Sequence, residues 1–284
     1  MQTIEIQDYI QNLQQKINKP GKLLMVPVLW SSNDQKKSEL DSEEKVKMGD
    51  EVKISNAMKW GFYSTRANFA GLGLRQILYQ LESSANELPE LLILSHSLGA
   101  IVSTNALINT TSRLPGKYSM QISNDNCGEI TIQDSIINDL EEKENSNYKL
   151  LQKFNSFPIP TSNIRVFMSA PAISGVETFK DMCEETKAST AFFSTVNSKD
   201  LTLKKFVGIV NNLGSTSLGL NYNCDVMQTK IDYFWDQGYF YYNKETIEIP
   251  QHSIFDYMQQ PAYQALVEDF LRFEFPEEQI ETSK

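Results

Sequence analysis

The sequence predicts an α/β fold, a mainly parallel sheet with helices on both faces, formed by a single domain over residues 1–284. Three observations carry this expectation. Short continuous apolar runs recur along the chain ("LLMVPVLW", "LLIL", "VFMS", "FFSTV"), each the length and composition of a strand buried on both faces. Stretches with apolar residues at helical spacing alternate with them, and no internal repeat interrupts the alternation. Strand-helix alternation over most of a chain is the pattern of βα units in a covered sheet. The 284 residues, 40% hydrophobic and 22% charged, are enough for one large core.

Taken in order, residues 4–17 place Ile4, Ile6, Tyr9, Ile10, Leu13 and Ile17 near helical spacing, and Pro20-Gly21 closes that helix. Lys22–Trp30 is the first buried strand. Residues 31–58 are polar and charged without a clear period. "FAGLGLRQILYQLESS" reads as a helix ending before Pro89, Leu91–Leu94 as the second buried strand, and "GAIVSTNALINTT" as the helix after it. Residues 112–162, rich in Asn, Asp, Ser and Glu, read as a polar insertion, partly helical around Ile132–Leu140. Asn163–Ala172 holds the third buried strand and Ala191–Asn197 the fourth. The stretch 206–250 is apolar and aromatic but irregular, and "DYMQQPAYQALVEDFLRFEF" ends the pattern as a helix.

Bulk properties exclude several classes. A net charge of -10 and a pI near 4.9 repel phosphate backbones and anionic lipid surfaces, so no nucleic-acid partner is expected. Lys199, Lys204 and Lys205 form too short a basic stretch to change that. Cys127, Cys183 and Cys224 are odd in number and far apart, without metal-ligand spacing, and read as reduced thiols of a cytoplasmic protein. No apolar run is long enough to span a bilayer, and the polar N-terminal stretch does not read as a secretory signal. The sequon Asn109-Thr110-Thr111 carries no weight in such a chain.

The chemistry gathers at "SHSLGA". In an open α/β sheet, function collects at the carboxyl ends of strands, and Ser97 stands at such an end. A sharp strand-to-helix turn holds a serine hydroxyl clear of the backbone only if residues two positions away are small. Ser95 and Gly99 meet that need and Ala100 beyond them is small too, so the stretch matches a G-x-S-x-G nucleophile elbow with Ser95 in place of the first glycine. The turn also begins a helix, which offers the backbone N–H of Leu98 to a developing oxyanion. The competing reading is a purely structural turn.

A nucleophilic serine needs a base, and the chain has two histidines. His96, beside Ser97, either lines the pocket or packs under the turn, packing being the preferred reading. His252, in "IPQHSIFDY", lies where the base belongs if the chain order is Ser, acid, His. The acid should fall between them after a strand. Asp200 follows "AFFSTVNSK" and can accept the Nδ1–H of His252; read blandly, it is an exposed turn aspartate. Asp225 and Asp232 rival it in order but follow no comparable strand. "GLGLRQ" half-matches a dinucleotide fingerprint, but it lacks the third glycine and a preceding strand, and reads as a helix N-terminus.

The elbow "LLILSHSLGA", the acid in "FFSTVNSKD" and the late "QHSIFDY" occur in the order of the α/β-hydrolase superfamily, which this chain resembles. It is also similar to a bacterial branch of that superfamily with an A-H-S-M-G elbow, through "VFMSAPAISG" and "VPVLWSS". The resemblance covers roughly residues 22 to 270, apart from 112–162. It implies Ser97 as nucleophile, His252 as general base, Asp200 as orienting acid and the Leu98 N–H as one oxyanion donor. It implies no metal or organic cofactor, and a small acyl substrate such as an ester or thioester. The second oxyanion donor usually comes from a loop ending His-Gly, which this chain lacks. Either the family's first strands are missing, or the loop is built differently, or "LLMVPVLW" is that strand and the donor comes from around Trp30–Ser31.

Two functional expectations follow. One is a serine hydrolase, with Phe206, Leu220, Tyr222, Phe234, Trp235, Phe240 and Tyr241 either capping its pocket or packing its core. The other is a catalytically inactive member serving as a binding or scaffold module.

Overall fold

In the computed structural model the described residues are 2–16, 18, 26, 56–84, 90–108, 120–122, 130–132, 159–160, 162–173, 178–179, 182–203, 218–220 and 238–276. They form α1 (Gln2–Lys16), α2 (Asn56–Ser84), β1 (Leu91–His96), α3 (Gly99–Leu107), β2 (Met120–Ile122), β3 (Ile130–Ile132), β4 (Ile164–Ser169), α4 (Glu184–Ser189), β5 (Thr190–Ser194), β6 (Tyr239–Tyr242), α5 (Ile254–Met258) and α6 (Pro261–Arg272). A 3-10 turn, Leu218–Leu220, stands between β5 and β6.

The described residues have an α/β architecture around a four-stranded, all-parallel sheet of order β1-β4-β5-β6. Successive side chains of a strand point to opposite faces, so each strand supplies two cores. On one face, Ile10 and Leu13 of α1 with Tyr263, Leu266, Val267 and Phe270 of α6 cover Phe167 and Phe193. On the other, Ala67, Leu74 and Leu78 of α2 and Ala100, Ile101 and Val102 of α3 cover Val166, Met168, Phe192 and Phe240. Each fully buried Phe or Leu contributes roughly 2–3 kcal/mol of transfer free energy. Among the described residues no helix is long and apolar enough to cross a membrane.

Two buried arginines fasten helix ends whose last carbonyls lack partners within the helix. Arg165 of β4 donates to the carbonyls of Phe270, Leu271 and Phe273 at the end of α6, at 2.5, 2.9 and 3.1 Å, and pairs with Glu90. Arg75 of α2 does the same for α3, through Asn105, Ala106 and Ile108. Burial without bulk water pushes the Arg75 guanidinium down to about 9.

Several sequence expectations are corrected. The helix before Pro89 starts at Asn56, so "GLGLRQ" lies inside α2 and is no helix N-terminus. Gly71 is there for packing: a Cβ would stand 2.6 Å from Asn105 Cβ and 2.8 Å from the Val102 carbonyl oxygen. One helical turn earlier, Asn68 Oδ1 accepts from Asn105 Nδ2 at 2.7 Å. Ile132 ends β3, which pairs antiparallel with β2, so the insertion contains strand where helix was expected; residues 133–140 lie outside the described residues, as do the expected strand 22–30 (Val26 apart) and most of 206–237. A strand not expected, β6, falls in the stretch read as irregular. Its Phe240 is buried and its Tyr241 stacks on Phe193 at 4.6 Å, which assigns both to packing. The final helix is two helices, α5 and α6, because Pro261 cannot supply the N–H that a continuous helix needs and instead begins α6. Cys183 is disulfide-bonded, not a reduced thiol, so the argument from free thiols to a reducing compartment falls away.

The Gly71 contact is testable. Gly71→Ala improves intrinsic helix propensity, yet the added methyl has no room between the two helices. Chemical denaturation is expected to show a net loss of roughly 1–3 kcal/mol. Unchanged or raised stability would contradict the close approach of α2 and α3.

Candidate active site

Ser97 stands one residue beyond β1 with φ 54°, in the left-handed region, which costs an L-residue roughly 1–2 kcal/mol. Its backbone is tied down at both ends. The Ser97 N–H donates to the Ser169 carbonyl at 3.0 Å, and its carbonyl accepts from Ala100 N at 3.1 Å and Ala172 N at 3.2 Å. These bonds hold a turn that serine does not adopt by preference, and the turn leads directly into α3. The Leu98 N–H lies at the start of that helix, and no described group accepts it. The flanking small residues lie side by side without crowding: a Cβ at Gly99 would lie 3.5 Å from Ser95 Cβ, an ordinary contact that leaves space for a methyl group. Ser95 faces inward. Its hydroxyl donates to the Phe167 carbonyl at 3.3 Å and accepts from Ser103 Oγ at 3.3 Å.

His252 lies between β6 and α5, just before Ser253, whose hydroxyl caps α5 by accepting from Phe255 N at 3.3 Å. Its Nε2 is 2.7 Å from Ser97 Oγ, and its Nδ1 is 2.7 Å from Asp200 Oδ2. A carboxylate oxygen only accepts, so the proton sits on Nδ1. Nε2 then has a lone pair to take the Ser97 hydroxyl proton.

Asp200 follows β5 and is wholly buried. Its Oδ1 accepts from the backbone N–H groups of Thr202 and Leu203 at 2.9 and 3.0 Å; its Oδ2 accepts from His252 and from the Tyr257 hydroxyl at 2.8 Å. Burial alone would push the carboxyl up, but the bond and charge of His252, with the Leu203 N–H and the Tyr257 phenol, hold it below the usual carboxylate value. The structure thus brings Ser97, His252 and Asp200 into one hydrogen-bonded line. Asp225, Asp232, Trp30 and Ser31 lie outside the described residues.

His96 is half-buried and packs against His252. Its Nε2–H donates to the His252 carbonyl at 2.6 Å, with the two rings 4.9 Å apart. Burial, then the neighbouring His252 ring, pushes it down to about 4, so it is a neutral donor. Sequence reasoning missed two further residues that shape the site. Asn197 and Tyr257 are both fully buried, and they link the Asp200 loop to the His252 loop. The signal was present but unreadable by spacing alone: both stood inside the motifs already singled out, "VNSKD" and "HSIFDY". Among the described residues no group of three or more His, Cys, Asp or Glu could hold a metal ion.

Compared with known proteins, the chain matches no family model, no curated protein and no solved structure.

The neutral His96 predicts a stability change with pH. Its folded pKa of about 4 lies below the ordinary 6.5. Between those values the unfolded chain binds more protons, so stability is full above about 6.5 and is lost as pH falls toward 4, by roughly 2–3 kcal/mol. Urea titrations of the parent and His96→Gln are expected to show a shallower loss over that window in the variant. Parallel curves would exclude His96 as its source.

Proposed function

We propose that the protein is a serine hydrolase of the α/β-hydrolase type, acting on an ester, thioester or related acyl bond. One observation carries this reading: Ser97, held at φ 54°, is 2.7 Å from an imidazole nitrogen whose other nitrogen is 2.7 Å from a buried carboxylate. A structural turn needs none of these features. The placement adds support. Ser97, Asp200 and His252 follow parallel strands β1, β5 and β6, in the chain order of that fold.

In the proposed reaction, Ser97 Oγ attacks the acyl carbon while His252 Nε2 removes its proton. The imidazolium is stabilised by Asp200, which stays ionised. The Leu98 N–H donates to the oxygen that gains charge. His252 then gives the proton to the leaving alcohol or thiol, and the acyl group remains on Ser97. Water, deprotonated by His252, attacks the acyl-enzyme; the acid departs and Ser97 regains its proton. None of these steps uses a metal or organic cofactor.

A fluorophosphonate probe, which phosphonylates activated serines as the serine oxygen attacks phosphorus and displaces fluoride, is expected to label the parent and Ser95→Ala but not Ser97→Ala. His252→Ala is expected to lower p-nitrophenyl acetate turnover by roughly a thousandfold or more. A folded parent that resists the probe, or a fully active His252→Ala, would overturn the proposal.

A further inference from the structure

The acid of this site is held by an ordered chain of hydrogen bonds whose direction can be read from its far end. Asn197 Oδ1 accepts from two backbone groups, Lys199 N at 3.0 Å and Ile249 N at 3.3 Å. Its Nδ2 donates to the Ile249 carbonyl at 2.8 Å, so three backbone groups agree on which way the amide faces. The remaining Nδ2 hydrogen goes to the Tyr257 hydroxyl at 2.9 Å. The phenol oxygen therefore accepts from Asn197, and its single proton goes to Asp200 Oδ2 at 2.8 Å. That oxygen is the one that receives the His252 Nδ1–H.

We infer that Tyr257 is a positioning residue of the proposed hydrolase, its phenol sharing Asp200 Oδ2 with the base and thereby setting both the direction and the strength of the Asp200–His252 bond. The inference rests on the serine-hydrolase reading. The two donors on Oδ2 act with the two backbone N–H groups on Oδ1 to fix the carboxylate plane. They also divide its charge, so the phenol tempers how strongly Asp200 holds an imidazolium. Burial and the Asp200 charge keep the Tyr257 phenol protonated far above its ordinary range, so it stays a donor wherever the enzyme would work. Among the described residues, the other ionisable groups facing this pair are His96, 4.9 Å from the His252 ring, and Tyr263, 6.2 Å from the Tyr257 ring. His96 is neutral above about pH 4, and burial holds the Tyr263 phenol protonated far above its ordinary range.

The test compares kcat and KM for p-nitrophenyl acetate across pH in the parent, in Tyr257→Phe, and in protein with 3-fluorotyrosine placed at position 257. Without the phenol proton, Asp200 stabilises the imidazolium more and orients it less. Tyr257→Phe is expected to lose kcat by roughly ten- to a hundredfold with little change in KM. Its acid limb should move to higher pH, by on the order of half a unit. The fluorinated phenol is a stronger donor of unchanged shape, so its acid limb should move the other way. A purely structural tyrosine moves neither limb. If Tyr257→Phe fails to fold, the fluorinated protein decides alone. Parent protein labelled by fluorophosphonate with unmoved acid limbs overturns this inference and leaves the hydrolase reading standing. A folded parent that neither labels nor turns over ester overturns both.

Discussion

Asp200 has no solvent contact, and a bare carboxylate in that position would cost several kcal/mol of lost hydration. The surrounding chain removes that cost with four donors. Two are backbone N–H groups of its own turn, at Thr202 and Leu203; one is the His252 ring and one the Tyr257 phenol. The donors come from three places, the loop after β5, the loop after β6 and α5, so satisfying one charge requires all three to meet. The Leu201 N–H bond to the Pro250 carbonyl at 3.2 Å and the Asn197–Ile247 bridge close the same seam. The line from Ser97 to Asp200 is thus part of the packing of the two exit loops, and it needs no substrate to assemble.

The serine end is held by a different balance. The parallel register of β1 on β4 runs to its last pair, His96 opposite Ser169, and Ser97 then leaves the ladder in a left-handed step. Ala170, which follows the partner residue in β4, takes the same step at φ 46°. Its N–H is received by Thr195 Oγ1 at 2.7 Å, and Thr195 N returns to the Met168 carbonyl at 3.0 Å. Neither residue is glycine, so each bears the steric cost, and inter-strand hydrogen bonds offset it. Both strands turn away at the same level of the sheet, and the Ser97 hydroxyl stands where they part.

How much of this was legible in the sequence depended on the kind of signal. β1, β4 and β5 were readable because aliphatic and aromatic residues run continuously where a strand is covered on both faces. β6, "YFYY", was not: three of its four residues carry a polar tip and are only half-buried, so no aliphatic run marks it. The break at Pro261 was visible in the letters but hidden by the apolar period on either side. That Ser97, Asp200 and His252 come together in one hydrogen-bonded line could be expected because a serine, an acid and a histidine stand in that order after strand-like runs. Tyr257 and Asn197 could not, because a tyrosine five residues after a histidine has no meaning until the fold turns it back onto the acid. Gly71 is the same lesson in packing: its role depends on Val102 and Asn105, about thirty residues on, and nothing local distinguishes it from Gly73.

The two histidines show how the fold separates roles that the sequence leaves adjacent in kind. They are the only imidazoles in the chain, and their rings lie 4.9 Å apart. What divides them is the acceptor each one faces. His96 Nε2 meets a carbonyl oxygen, which can only accept, so that nitrogen must keep its proton and cannot take one from a hydroxyl. His252 Nδ1 meets a carboxylate, which fixes its proton there and leaves Nε2 as an acceptor facing Ser97. The carbonyl that occupies His96 belongs to His252 itself, so the bond that disqualifies one imidazole as a base also anchors the backbone of the other. Burial and the neighbouring ring then oppose charge on His96. The His252 ring therefore lies between a neutral neighbour, His96, and an anion, Asp200.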